Sequence, residues 1–137
     1  MQGRNDWNRQ VIEEFHANGG KVGGYYADIP LLLLTTTGAK SGQQRIKPLA
    51  YLPDGGRLIL FASNKGAPTS PDWYYNLLAH PEVTVEVGNE TFQARATVAT
   101  GEEYQRLDVL ARKLSPMHAE YQARTTRQVP LVVLERV

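Results

Sequence analysis

Two short glycine-containing turns, each flanked by apolar segments, constrain the fold of this chain more than any other feature. The first turn, residues 53–56, separates an apolar-rich segment at 44–52 from another at 57–62, and the second turn is Gly88-Asn89. Glycine, aspartate and asparagine tolerate the backbone angles of tight turns, and strands joined by so short a connection run antiparallel. Apolar residues around the second turn alternate with polar ones, as in a hairpin with one face towards water. The sequence therefore predicts two β-hairpins.

The remaining segments predict two more strands and three or four helices. Residues 30–37 hold four leucines and three threonines between a proline and a glycine, which is typical of a strand buried on both faces, and residues 129–137 predict a final strand. Residues 23–26 are predicted to be a loop. Helices are predicted at 7–15, at 70–79 with Ser70 as the N-cap, at 100–114 and at 116–124. Six strands in antiparallel hairpins predict one α+β domain, residues 1–137, with a barrel-like sheet.

The size and composition are those of one globular domain. The chain has 137 residues, a net charge of +1 and no cysteine, which excludes disulfides, thiolate nucleophiles and iron–sulfur clusters. The net charge gives no reason to expect nucleic acid as a partner. No apolar run, residues 30–34 included, approaches the roughly 20 residues that span a bilayer. We expect a cytoplasmic protein whose first helix covers the core, with peripheral membrane contact through that helix left open.

Positive charge is concentrated in the middle of the chain. Between Gly38 and Gly66 there is one acid, Asp54, and there are five cations: Lys40, Arg45, Lys47, Arg57 and Lys65. Residues 36–42 look like a phosphate loop but lack the order of a Walker A motif. Glycines there could let backbone N–H groups approach an anion, with charge from Lys40 and Arg45. The competing interpretation is a solvated basic turn.

No arrangement of side chains points to a catalytic or metal-binding constellation. Paired carboxylates, a serine–histidine–aspartate order and metal-ligand spacing are missing from the sequence, and its three histidines, His16, His80 and His118, lie far apart. No metal ion is predicted. An enzyme with this sequence would take its chemistry from a bound cofactor, which the protein binds, orients and shields.

Five motifs follow one another in order between about residue 30 and the C-terminus. They are Leu34-Thr35-Thr36-Thr37-Gly38-x-Lys40-Ser41-Gly42-x-x-Arg45, Pro48-Leu49-x-Tyr51, Ala62-Ser63, Pro71-x-Trp73-Tyr74-x-Asn76-Leu77, and Tyr121-Gln122 with Arg127-x-x-Pro130. Together they resemble the deazaflavin (coenzyme F420)-dependent nitroreductase and quinone reductase family. The resemblance implies a split β-barrel of the FMN-binding type, coenzyme F420 as cofactor, a small-molecule acceptor, and a dimeric or membrane-associated form. The phosphate and polyglutamate tail of that cofactor agree with the cationic stretch.

The resemblance also implies which residues contact the cofactor. Lys40 and Arg45 would hold the phosphate or the tail, while Trp73, itself also expected in the core, and Asn76 would brace the loop at 64–67. The implied cofactor-binding set is Lys40, Arg45, Pro48, Ala62, Ser63, Asn64, Lys65, Gly66, Ala67, Pro71, Trp73 and Asn76, of which Pro48, Ala62 and Ser63 would line the deazaflavin ring.

Three residues are implied near the reacting acceptor. The Ser63 hydroxyl would orient an acceptor oxygen, and His118 would supply a proton after hydride transfer. Tyr121 is the one residue left of a tyrosine cluster that covers the substrate in some relatives, with Ser115 and His118 at the neighbouring positions. This difference predicts a wider, more polar roof over the acceptor and speaks against nitroimidazole reduction.

Three functions are compatible with the sequence. The leading hypothesis is an oxidoreductase that passes a hydride from reduced coenzyme F420 to a small enone, quinone or nitro compound. The first alternative is an FMN-dependent oxidoreductase of the pyridoxamine-phosphate-oxidase type. The second is a carrier that binds the deazaflavin or a lipid-like ligand without catalysis, since both carriage and cofactor chemistry need no reactive side chain.

Overall fold

The structure, a computed structural model, describes residues 3–23 and 30–137. The loop predicted at 23–26 lies outside these residues except for Gly23. Four helices are described: α1 (Gly3–Ala17), α2 (Asp72–Ala79), α3 (Gly101–Leu114) and α4 (Pro116–Ala123). Seven strands are described: β1 (Leu31–Thr37), β2 (Gln44–Ala50), β3 (Leu52–Asp54), β4 (Arg57–Phe61), β5 (Glu82–Val87), β6 (Glu90–Val98) and β7 (Leu131–Arg136).

The strands form one antiparallel sheet that curls into a half-barrel. Their order is β2-β1-β5-β6-β7-β4-β3, and every neighbouring pair is antiparallel. The two outermost strands, β2 and β3, are consecutive in the chain and separated only by Tyr51, so the sheet must bend until its two ends meet. The predicted hairpin around Gly88-Asn89 is confirmed as β5–β6. The predicted turn at 53–56 does join two antiparallel strands, β3 and β4, but Leu52 is the one residue of the segment 44–52 that pairs with β4.

The predicted count of six strands is wrong, because the segment at 44–52 changes partner in its middle. Ala50 still pairs with Leu31 of β1, whereas Leu52 pairs with Ile59 of β4. Between them, the N–H of Tyr51 donates to the carbonyl oxygen of Pro30 at 3.2 Å. A strand that passes from one end of the sheet to the other must bend, and its ladder is interrupted there.

The main core fills the inside of the half-barrel, and α2 packs against it. Trp73 and Leu77 of α2 are buried there. They belong to one hydrophobic cluster with inward-facing residues of five strands: Leu32, Leu34, Leu60, Val83, Val85, Ala94, Ala96, Val132 and Leu134. The expected core position of Trp73 is confirmed, and α2 is held directly over the barrel interior.

The first helix covers the outer face of β1. Val11 and Phe15 of α1 are buried against Leu31 and Leu33, whereas Leu32 and Leu34 point into the barrel, so β1 is buried on both faces as predicted. Since these apolar side chains are already covered, the structure gives no support to membrane contact through α1. None of the helices in the described ranges is long and apolar enough to cross a membrane.

The last two helices cover the opposite outer face, on β4 and β7. Tyr104, Leu107 and Ala111 of α3 pack against Ile59 and the outward residues of β7. The hydroxyl of Tyr104 donates to the carbonyl oxygen of Val129 at 2.6 Å, which fixes the segment before β7 to α3. This packing brings α4 beside the loop that follows β4, where the candidate site lies.

A network of ion pairs fixes the β3–β4 hairpin to α3. Asp54 accepts hydrogen bonds from Arg106 at 2.9 Å and from Arg57 at 2.7 Å, and Arg57 also donates to Glu103 at 3.1 Å. The hydrogen bonds from Arg106 and Arg57 lower the pKa of Asp54 to about 2. The carboxylate is therefore more stable in the folded chain than in the unfolded one.

We expect Asp54→Asn to destabilise the protein near neutral pH and to have little effect in acid. The folded pKa of about 2 lies below the ordinary value of 3.8, so the contribution is present above pH 3.8 and is lost as the pH falls towards 2. Allowing for solvent screening, the loss should be about 1 to 2 kcal/mol at pH 7. Urea unfolding of both proteins between pH 2 and 7 measures it. Glu82→Gln, at a pair separated by 3.9 Å on the surface, is the control, and an Asp54 effect independent of pH would contradict the assignment.

Candidate functional site

Two loops lie at the same end of the half-barrel. Four antiparallel steps separate β1 from β4 in the sheet, so the two strands run in the same direction and their C-terminal ends point the same way. The loop at 38–43 follows β1, and the loop at 62–71 follows β4. Most of the predicted cofactor-binding residues belong to these two loops or to α2, which begins where the second loop ends.

The loop at 38–43 is a closed turn whose backbone donors are largely occupied. The N–H of Gly38 donates to the carbonyl oxygen of Gln43 at 2.7 Å, that of Gly42 to Gly38 at 3.0 Å, and that of Gln43 to the Ser41 hydroxyl at 3.1 Å. A Cβ on Gly38 would lie 2.5 Å from the Ser41 hydroxyl, which explains the glycine. The bonds occupy the N–H groups of Gly38, Gly42 and Gln43, so an anion could be met here only by the remaining donors and by the exposed Lys40 side chain, and the role of this loop stays a prediction.

Asn76 connects this turn to α2. Its side-chain oxygen accepts from the N–H of Ala39 at 3.0 Å, and its amide group donates to the Thr36 hydroxyl at 3.3 Å. The prediction that Asn76 braces the loop at 64–67 is wrong, because the amide reaches the other loop. The helix α2 begins at the end of the second loop, and one turn later Asn76 already reaches the first loop.

The second loop contains a left-handed turn, residues 64–66. Asn64, Lys65 and Gly66 have successive φ values of 48°, 57° and 85°. The turn is closed by hydrogen bonds from Gly66 N–H to the Ser63 carbonyl at 2.9 Å and from Ala67 N–H to the Asn64 carbonyl at 3.0 Å. Positive φ costs a residue with a side chain about 1 to 3 kcal/mol, so surrounding contacts must hold this conformation.

The left-handed turn leaves two backbone donors unused. In the described part of the chain, no oxygen accepts a hydrogen bond from the N–H of Asn64 or Lys65. Ser63 is in the right-handed helical region and the residues after it are left-handed, and such an alternation makes successive N–H groups converge on one point. A concavity of this kind binds anions, and the Lys65 side chain is exposed beside it.

Arg127 holds the loop in this conformation. Its Nε donates to the Ala67 carbonyl at 3.0 Å and its Nη1 to the Ser70 hydroxyl at 3.1 Å. Its Nη2 is shared by three carbonyl oxygens, those of Ala62 at 3.2 Å, Ser63 at 3.0 Å and Thr69 at 3.1 Å. Ser70 was predicted as the N-cap of α2. Instead, Pro71 occupies the cap, and the Ser70 hydroxyl accepts from Arg127.

The end of α4 supports Arg127 and the turn together. The Gln122 amide donates to the Arg127 carbonyl at 2.7 Å, and its oxygen accepts from the N–H of Val129 at 2.9 Å. A Cβ on Gly66 would lie 2.9 Å from the Tyr121 carbonyl and 2.6 Å from Arg124 Cβ, so only glycine fits there. The turn therefore packs directly on α4.

The cationic stretch divides into groups at opposite ends of the sheet. Arg57 begins β4 and is paired with Asp54 and Glu103, whereas Lys65 lies beyond the other end of β4. Lys40 and Arg45 are exposed, and among the residues that the structure describes neither forms an ion pair with a carboxylate. These two cations are free to attract an anion at the end where the left-handed turn lies.

The predicted ring-lining residues do not all share a face. Ala62 is fully buried in the barrel core, and Ser63 is buried as the residue before the left-handed turn. Pro48 pairs with Leu33 on the face that α1 covers, while Arg45 pairs with Thr36 on the opposite face. The structure does not bring Pro48 and Ala62 together. Ala67 lies within the segment that Arg127 holds, and Pro71 directly follows Ser70 at the end of that segment.

His118 is held inside the protein and does not open onto solvent. Its Nε2 lies 2.8 Å from Asp108 Oδ1, and its ring packs on Phe61 with centroids 5.3 Å apart. Burial acts to raise the pKa of Asp108, but hydrogen bonds from His118 and Arg112 outweigh it and keep the pKa lowered. The predicted contact of His118 with an acceptor is not formed in this conformation, since its side chain exposes 0% of its surface. Tyr121 is half-buried one turn further along α4.

A shallow cleft of about 270 Å³ opens at the other end of the barrel. Its lining is Gly56, Leu58, Val87, Glu90, Phe92, Leu134 and Arg136, and none of the predicted site residues belongs to it. The described residues contain no cluster of three potential metal ligands. The residues that the sequence reasoning missed are Arg127 and Gln122, whose motif was noticed but given no role.

Comparison with known proteins shows which family the chain belongs to. Residues 7–136 match the family described as F420H(2)-dependent quinone reductase. This chain belongs to that family. An F420H(2)-dependent quinone reductase of Mycobacterium tuberculosis (strain ATCC 25618 / H37Rv) is 41% identical over 110 residues, covering 78% of this chain and 74% of that protein.

Two solved structures agree with the fold and the family. A structure of an F420-H2 dependent reductase is 39% identical, covers 77% of this chain and 94% of its own, and has a TM-score of 0.71. A structure described as a domain-swapped dimer is 37% identical, covers 96% and 98%, and has a TM-score of 0.74. The predicted split β-barrel, the family, the F420H2-dependent reductase class and coenzyme F420 as cofactor are confirmed.

The residues at this end of the barrel fit an anionic cofactor. The unused amides of Asn64 and Lys65 and the unpaired cations Lys40 and Arg45 are donors and charges suited to phosphate and carboxylate groups. Coenzyme F420 has both kinds of group. The role of each predicted contact residue remains a prediction.

We expect Gly66→Ala to destabilise the protein more than Gly55→Ala. Both glycines have positive φ, 85° and 63°, but a Cβ on Gly55 meets nothing within 4 Å. Backbone strain alone should cost about 1 kcal/mol in Gly55→Ala, and the contact with α4 should raise the loss to about 2 to 3 kcal/mol in Gly66→Ala. Urea unfolding compares the two. Equal losses would mean that α4 does not restrict the left-handed turn.

Proposed function

We propose that this protein passes a hydride from reduced coenzyme F420 to a small conjugated acceptor, with a quinone as the first acceptor to test. The observation that carries the proposal is made on the described residues: two exposed cations without an acidic partner and two backbone donors without an acceptor lie at one end of the barrel. Such a site binds and orients an anionic cofactor and leaves the chemistry to it. The relative named as a quinone reductase supports the choice of acceptor.

The protein would hold the cofactor from two sides. Lys40 and Arg45 would attract its phosphate and tail from the β1–β2 hairpin, and the amides of Asn64 and Lys65 would donate to one anionic group from the left-handed turn. Asn76 of α2 accepts a hydrogen bond from the first loop, and Arg127 holds Ser70 of the second loop just before α2 begins. The two loops therefore keep a fixed relative position. A fixed position lowers the entropy lost when a ligand binds.

Bound F420H2 supplies a hydride and disfavours one-electron chemistry. Reduction of a quinone consumes that hydride and one proton and gives the hydroquinone. Since His118 is enclosed by Asp108 and Phe61, we infer that the proton comes from solvent unless α4 moves. The Ser63 hydroxyl, next to the left-handed turn, is the side chain we propose to orient the acceptor oxygen.

Enones and nitro compounds are the other acceptors to compare. Tyr121 is the single tyrosine of α4, so the structure offers little aromatic surface there for a nitroimidazole. FMN is the alternative cofactor: it has one phosphate and no polyglutamate, so affinity that rises with the length of the tail favours F420. A homodimer is also proposed, on the domain-swapped relative, and size-exclusion chromatography with light scattering tests it.

We expect Lys40→Ala and Arg45→Ala each to weaken F420 binding. A charge-assisted hydrogen bond contributes about 1.5 to 3 kcal/mol, so the Kd should rise roughly ten- to a hundredfold. Fluorescence titration of F420 measures the Kd, and Arg95→Ala, an exposed arginine of β6, is the control. If both variants bind like the unmodified protein, these residues do not belong to the site.

We expect Ser63→Ala to lower the rate of hydride transfer with little change in F420 affinity or Tm. This pattern marks a hydrogen bond made chiefly in the transition state. The competing role for Ser63 is to stabilise the loop, in which case affinity and Tm fall first. Single-turnover oxidation of F420H2 by menadione, followed by absorbance, distinguishes them, and a variant with the normal transfer rate would show that the hydroxyl is not used.

A further inference from the structure

Among the described residues, the Arg127 side chain donates all of its hydrogen bonds to one loop, residues 62–70. Five hydrogen bonds run from its guanidinium to that loop, ending at Ala67, Ser70, Ala62, Ser63 and Thr69. Within residues 3–23 and 30–137, no carboxylate pairs with it. Arg127 is therefore used differently from Arg57, Arg106 and Arg112, each of which pairs with an acid.

The guanidinium reaches both sides of the left-handed turn. Ala62 and Ser63 precede residues 64–66 and Ala67 follows them, so one planar group fixes the distance between the two arms of the turn. A guanidinium offers several donors in a rigid plane, whereas a lysine ammonium is a single flexible point. Lysine could therefore keep the charge of Arg127 but could not hold all of these carbonyl oxygens.

The hydrogen bonds from Arg127 leave the N–H groups of Asn64 and Lys65 free for a ligand. Because the carbonyl oxygens around the turn accept from Arg127, they point inwards, while the N–H groups of Asn64 and Lys65 find no acceptor in the described chain. Asn64 adds one bond of its own, from its side-chain amide to the Thr69 carbonyl at 3.1 Å. The guanidinium is occupied by the loop, so Arg127 acts on a ligand through the turn.

We propose that Arg127 is the positioning residue of the cofactor site: its guanidinium, steadied by Gln122, fixes the left-handed turn in the conformation that presents the Asn64 and Lys65 amides to an anionic group of coenzyme F420. This inference rests on the proposed function for the identity of the ligand. The conformation of the turn, by contrast, can be tested on the protein without cofactor.

The experiment compares Arg127→Lys, Arg127→Met and Arg95→Met. Arg127→Lys keeps the charge and loses the planar donor group, Arg127→Met loses both, and Arg95→Met removes an exposed arginine elsewhere on the sheet. Two measurements are made on each: amide hydrogen exchange by NMR without cofactor, and the Kd for F420 by fluorescence titration. Exchange at Leu60 and Val132, in the core of the barrel, reports whether the variant is folded.

Both Arg127 variants should accelerate exchange at Gly66 and Ala67, whose N–H groups close the turn, by at least tenfold while Leu60 and Val132 remain protected. Both should also raise the Kd for F420 at least tenfold, with Arg127→Lys close to Arg127→Met, and Arg95→Met should match the unmodified protein. If Arg127 only stabilised the fold as a whole, its variants would accelerate exchange at Leu60 and Val132 together with exchange at the turn.

Normal F420 affinity in Arg127→Lys would overturn the proposal, because charge alone would then suffice. Unchanged exchange at Gly66 and Ala67 in both variants would overturn it as well. If the unmodified protein itself binds no F420, the proposed function fails, and the exchange measurements still decide whether Arg127 sets the turn.

Discussion

The hydrogen bonds between the Arg127 guanidinium and the loop at 62–70 are the constraint on which the candidate site depends. Two residues with side chains, Asn64 and Lys65, take left-handed conformations there, and neither would keep them without surrounding contacts. Arg127 supplies contacts on both sides of the turn, and Gly66 lets the turn pack against α4. The segment that carries Arg127 is in turn fixed by Gln122 and by the hydroxyl of Tyr104.

The curled sheet gives the two ends of the barrel different roles. At one end, the ion-pair network of Asp54 neutralises Arg57 and joins a hairpin to α3. At the other end, Lys40 and Arg45 have no acidic partner among the described residues. Charges that are paired contribute to stability, whereas unpaired cations in a chain with a net charge of only +1 are available to a ligand.

The strands and helices could largely be predicted because local patterns determine them. Alternation around Gly88-Asn89, the four leucines of β1 and the periodicity of α3 are each signals within one segment. The division of residues 44–52 at Tyr51 could not be predicted, since it depends on which strands lie at the two ends of the sheet. The predicted partner of Asn76 was wrong for a similar reason. Helical spacing shows on which face of the helix a residue lies, but it does not show which of two loops that face meets.

The position of the site was easier to predict than the contacts that hold its loops in place. Glycines and cations in a motif are visible in the sequence, but the roles of Ser70 and Arg127 come from a contact across 57 residues that no local pattern contains. That contact has a consequence for the whole site. Arg127 holds Ser70 just before α2, and Asn76 holds the first loop from the same helix, whose Trp73 and Leu77 are anchored in the core. Neither loop can shift far unless α2 leaves the barrel, so the barrel core itself determines how far apart the two groups of anion-binding residues lie.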